Sequence, residues 1–195
     1  MAKKRAIMGL RGIALAPVKE NTLLKYKSDD ATIALQFAGA MNRTAKEKSQ
    51  DIYYDDTLYA QVKEILGEDV EIRLGEVTLE LLAELGLGAF NETTQVFEGD
   101  FTPKRAEYSL RCIEDTVDKA PYYFNWRLFD LLGVRFDNFT TKGDSVNVCE
   151  VIITGVFKEP ATPNVKPYAI MRLSDDGDNQ ADCDAFLKDG EEFPA

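Results

Sequence analysis

The stretch DVEIRLGEVTLELLAELGLG, residues 69–88, changes its periodicity halfway, and that change constrains the fold more than any other feature of the chain. Up to Leu74 the apolar residues Val70, Ile72 and Leu74 alternate with Glu71 and Arg73. A period of two with one greasy and one charged face specifies a half-buried strand. From Thr78 the spacing becomes helical: Leu79, Leu82 and Ala83 share a stripe, and Gly86 stands where a helix ends. The other apolar runs read as strands. They are GIALAPV at 12–18, ATIALQF at 31–37, AEYSLRCIE at 106–114, YYFNWRLFDLL at 122–132, DSVNVCEVIITGVF at 144–157 and YAIMRLS at 168–174. The chain therefore predicts a mainly β domain, a two-sheet β-sandwich or barrel with one flanking α-helix. NQADCDAFLKD adds a short C-terminal helix.

Within 122–132 the alternation assigns Tyr122, Phe124, Trp126 and Leu128 to the core face, against Tyr123, Asn125, Arg127 and Phe129. The run 144–157 is apolar on both faces, as expected of a strand covered on both sides. The 195 residues read as one domain. It has a basic N-terminal arm at about 1–11, a long polar loop at about 38–51, and an acidic C-terminal segment at about 174–195. GLGAFNETTQVFEGD reads as a turn-rich connection. The opening MAKKRAIMGLRGIALAPV imitates a secretory signal, but Arg11 interrupts its apolar part.

Composition excludes several chemistries. The chain contains no histidine, so His-based triads, His metal sites and His general bases are absent. No phosphate-cradling glycine loop occurs, and three widely spaced cysteines, Cys112, Cys149 and Cys183, form neither a C-x-x-C pair nor a disulfide framework. Asp55 and Asp56 are adjacent, and adjacent strand residues point to opposite faces, so they make a poor acid/base pair. DDGDNQADCD at 175–184 fails as a calcium loop because Ala181 stands where that loop requires glycine. No catalytic residue, cofactor or metal site is expected, and no run is long enough to span a membrane.

Charge is uneven. The net charge is −11, yet residues 1–50 hold ten Lys/Arg against four Asp/Glu, and the remainder thirteen against thirty. Such opposed ends suit self-association as well as a plain solvated surface.

Four stretches, in this order, resemble the major tail tube proteins of long-tailed phages with non-contractile tails. They are the polar segment running into IYYDD, the strand–helix–glycine unit VEIRLGEVTLELLAELGLG, the aromatic strand YYFNWRLFDL after Pro121, and GDSVNVCEVIITGVF. The resemblance covers roughly residues 38–195 and includes no catalytic signature. It implies a β-sandwich whose copies close into hexameric rings. Rings stack into a tube through which DNA passes without sequence-specific binding, and a long loop bridges neighbours. Partners would be the protein itself and other tail proteins such as the tape measure and tail terminator. The location would be the virion tail, assembled in the host cytoplasm; a related bacteriocin tube fits as well. Arg43, Lys46, Lys48, Tyr53 and Tyr54 are the candidate inter-subunit contacts. The alternatives are a carbohydrate-binding β-sandwich, which would need an exposed aromatic platform, and a small hydrolase with a non-histidine acid pair.

Overall fold

The computed structural model describes residues 7–31, 33–35, 38–54, 57–75, 77–99, 106–116, 120–136 and 151–194. In chain order the elements are β1 (Ile7–Asn21), β2 (Lys25–Ser28), β3 (Ile33–Ala34), β4 (Ala38–Tyr54), β5 (Thr57–Leu74), α1 (Leu79–Glu84), β6 (Gly88–Asn91) and β7 (Val96–Gly99). They continue as β8 (Ala106–Thr116), β9 (Tyr122–Phe136), β10 (Val151–Phe157), β11 (Tyr168–Arg172), α2 (Gln180–Lys188) and β12 (Glu192–Pro194). The fold is mainly β with two helices among the described residues.

Ten of these strands join one curled antiparallel sheet in the order β12-β2-β1-β8-β9-β10-β5-β4, with β3 on β1 and β11 on β9. Hence the fold is mainly β, as expected of a sandwich or barrel, and one curled sheet wraps the core. The core gathers Leu15, Leu110, Trp126, Phe129, Ile153 and Ile72 from the strands with Leu82, Leu85 and Leu87 from the α1 region. The period-two reading of 69–74 holds, since Val70, Ile72 and Leu74 are buried. Thr78 caps α1 by accepting from the Leu81 N–H at 3.2 Å, and Gly86 follows at φ +70°. The buried stripe runs through Leu82 and Leu85, whereas Leu79 is exposed. β10 is buried on both faces, as its composition predicts; the 144–150 part of that run lies outside the described residues.

Three expectations need correction. The segment 38–51 is not a loop: it lies within the seventeen-residue strand β4, paired along its length with β5. The GLGAFNETTQVFEGD connection contains the hairpin β6–β7. Of the supposed N-terminal arm, residues 7–11 belong to β1 and pair with β8, while 1–6 lie outside the described residues.

The core face of β9 also switches. Tyr108 pairs with Phe129 while Leu110 pairs with Trp126, so β9 carries one extra residue there. A bulge inverts the alternation beyond it. Phe124 and Trp126 face the main core, and past the bulge Phe129 and Leu131 take over, with Leu128 buried outside that cluster.

The opposite face of β8 and β9 is covered by the C-terminal segment. Cys183, Phe186 and Leu187 of α2 pack with Ile113, Tyr123, Met171 and Leu173. Beside them Arg111 is fully buried. Its guanidinium donates to the carbonyls of Leu187 (3.1 Å) and Asp29 (3.2 Å) and to the Ser28 hydroxyl (3.4 Å). Leu187 lies in the last turn of α2, where the helix presents unpaired carbonyls and partial negative charge. The acidic segment thus folds back onto the body instead of trailing as a tail.

Candidate assembly surface

β4 and β5 extend beyond the rest of the sheet. β10 accompanies β5 only from Glu68 to Leu74. The remaining pairs, from Lys46↔Gly67 to Tyr54↔Thr57, form a two-stranded ribbon with no third strand among the described residues. At about 3.3 Å per residue this arm reaches about 30 Å past β10. Asn42 through Lys48 are exposed without alternation, from the last pairs beside β10 into the start of the ribbon.

The arm leaves the sheet at a bulge. Lys46 pairs with Gly67 and Glu47 with Ile65, so Leu66 has no opposite residue. Gly67 sits at φ +140°, and a Cβ there would lie 2.3 Å from the Phe157 carbonyl oxygen. Only glycine permits both that conformation and that approach.

The five predicted contact residues are strung along this ribbon and not gathered in one patch. Arg43 stands at its root, opposite Val70, with Nη1 3.7 Å from Glu68 and its guanidinium 5.1 Å from the Trp126 ring centroid. It therefore closes the end of the core and is engaged within the chain. Lys46 reaches Asp69 at 3.6 Å. Lys48 is exposed opposite Glu64, and Tyr53 and Tyr54 stand opposite Leu58 and Thr57 near the tip.

Beside the root lies a cleft that the sequence did not reveal. Its volume is about 550 Å³, and its lining includes Arg43, Glu68, Trp126, Phe157, Tyr168 and Ile170. Phe124, Trp126 and Phe157 stack in a ladder, with centroids 5.0 and 4.9 Å apart and interplanar angles of 10° and 4°. Tyr168 and Ile170 are about half exposed, at 53% and 49%. The signal available for the ladder was the Phe124/Trp126 alternation; Phe157 joins it only through the β9–β10 pairing. Burial pushes the Glu114 carboxyl up from its usual range, opposed by the charge of Arg43. Burial likewise raises the Cys112 thiol, which removes it as a ready nucleophile.

No protein-family model and no curated protein matches this chain.

The arrangement offers exposed surface and strand edges. Among the described residues no group of three or more Cys, Asp or Glu side chains is placed to hold a metal ion. The stacked rings of Phe124, Trp126 and Phe157 use one another's faces, and Trp126 is only 3% exposed, so they offer no open platform for a sugar. No helix among the described residues is long and apolar enough to cross a membrane.

Proposed function

We propose that this protein is a structural subunit that self-assembles into a tube, with hexameric rings stacking to form a phage tail tube or a related conduit. The single observation that carries this reading is the β4–β5 arm. A two-stranded ribbon is at best marginally stable alone in water. The sequence of this one includes Ile52, Tyr53, Tyr54, Leu58, Tyr59 and Val62. Among the described residues no strand covers its outer edges, and an open edge is an aggregation hazard unless a partner is meant to cover it. Head-to-tail contact between an arm and a different surface of the next copy need not close on itself, so it can grow a filament.

Other features agree with that role. A net charge of −11 suits a lumen that lets DNA slide without adhering. The mainly β fold with a flanking helix is the architecture the resemblance implies. Within that reading the tape measure and tail terminator proteins are further partners, and the virion tail is the location.

Size-exclusion chromatography over a range of concentration and salt, with negative-stain microscopy, tests the proposal. Rings or tubes are expected, and replacing residues 47–66 by an Asn-Gly turn should abolish their growth while the domain still folds. A strictly monomeric protein under all conditions defeats the reading.

A further inference from the structure

Beyond Phe157 the chain leaves the sheet, passes through 159–167 and returns as β11 along the remaining part of the same β9 edge. Lys158 donates its N–H to the Leu128 carbonyl at 3.0 Å, and Arg127 donates to the Pro167 carbonyl at 2.9 Å, so β10 and β11 form one interrupted line. At the far end Leu173 donates to Pro121 at 3.2 Å. In an antiparallel ladder the residues bonded to a given neighbour alternate. With 167 and 173 bonded to β9, Ala169 and Met171 are bonded to it too. Tyr168, Ile170 and Arg172 then turn their N–H and C=O groups the other way. Among the described residues no strand meets them. The strand that would have done so is β5, but it bends away at Gly67, and the cleft opens between the two.

We infer that the free edge of β11 is the landing site for the β4–β5 arm of a second copy, which adds to it as a further strand. This rests on the assembly reading above and names its surface. The outward groups of Tyr168 and Ile170 and the outward N–H of Arg172 are those that strand addition satisfies, the Arg172 carbonyl already accepting from the Asn179 side-chain amide at 2.9 Å, and the exposed Tyr168 and Ile170 side chains give the incoming strand apolar contact. The arm supplies what the site lacks, since its own strands need a third. Charge fits as well. The distal part of the arm, 49–60, carries Asp51, Asp55 and Asp56 and no cation. In the receiving strip Lys158 is bound to Asp130 and Arg172 to Asp175, and Lys166 lies between them. The chain's own arm departs from the wall of the cleft, which puts its tip about 30 Å away.

The test is amide hydrogen exchange read by mass spectrometry on the full chain, dilute and concentrated, with association followed in parallel. Peptides spanning 168–173 should gain protection at up to three amides on association. The variant with 47–66 replaced by Asn-Gly should show no such gain. Ile170→Pro removes one outward N–H and leaves the β9 ladder intact, so the fold should persist while association weakens about tenfold. Ile170→Lys, judged folded by circular dichroism, provides the same test if the proline variant does not fold. Association with unchanged exchange at 168–173 overturns this inference and leaves the assembly reading standing. Protection that survives arm replacement shows another strand on the edge and also overturns it. Absence of any association overturns both.

Discussion

Two residues show most directly how single side chains hold this fold. Arg111 places a charge in the interior with carbonyl and hydroxyl oxygens as its partners. Burial lowers its pKa, but an arginine remains charged, so each lost partner is costly. Arg111→Ala leaves the Leu187 and Asp29 carbonyls and the Ser28 hydroxyl without this donor. A loss of about 3 kcal/mol is expected, read as a lower denaturant midpoint, with earlier exchange of the α2 amides than elsewhere. Gly67 is the second case. Gly67→Ala forces a Cβ against the Phe157 carbonyl at a backbone angle that side chains avoid. Destabilisation of about 2 kcal/mol is expected from equilibrium unfolding, together with a changed arm angle and impaired assembly. Arg43 was legible as a charged residue in a polar stretch, but its seat over Trp126 was not, because the two meet only when β4 closes over β9.

At the scale of elements, β12 and the β4–β5 arm contrast. β12 pairs with β2 and is tied by ions: Lys25 and Lys27 both contact Glu192, and Arg127 grips Glu191 with Nε at 2.9 Å while lying over the Phe193 ring. Hydrogen bonds from Lys25 and Lys27 hold the Glu192 carboxyl down to about 2. A depressed acid contributes stability above its unfolded pKa, and that stability is lost as pH falls through the folded value. The β12 contacts should therefore be intact at neutral pH and weaken from about pH 4.5 toward pH 2. NMR titration of the Phe193 and Tyr26 rings would follow this, and Glu192→Gln should remove the acid-dependent step. Because Glu192 is exposed, salt should reduce the effect. The arm extends past β10 and pairs along its length with itself, which is why its replacement is expected to leave the melting temperature within a few degrees of the parent, measured by circular dichroism.

At the scale of the whole molecule, the uneven charge is the lever. Lys46 and Lys48 are exposed at the base of the arm on a chain that is net negative beyond residue 50, so association that brings them against a second body should depend on ionic strength. Lys46→Glu with Lys48→Glu should slow tube growth at low salt, partly recovered at higher salt, as scored by light scattering. Both side chains are exposed, so the fold is expected to survive, whereas reversing Arg43 would also break its contacts with Glu68 and Trp126. A chelator should not shift the melting temperature; a large drop would reopen the 175–184 turn as a cation site.

The sequence by itself determined the strand and helix types wherever burial was one-sided or complete. The alternation at 70–74, the cap at Thr78, the doubly apolar 151–157 and the helix at 180–188 follow from period and composition, which act over a few residues. It misread 38–51 because the run 42–48 is exposed throughout and shows no hydrophobic period, so its polar composition imitates a loop. It misassigned Leu128 because a bulge, set by pairing with β8, inverts the face of β9. Only the tertiary structure decided that β5 outruns β10, that a bulge at Gly67 marks where the arm begins, and that among the described residues no strand meets the outer edge of β11 beside the aromatic ladder. Each depends on where a strand loses its partner, and that is fixed by contacts between residues far apart in the chain.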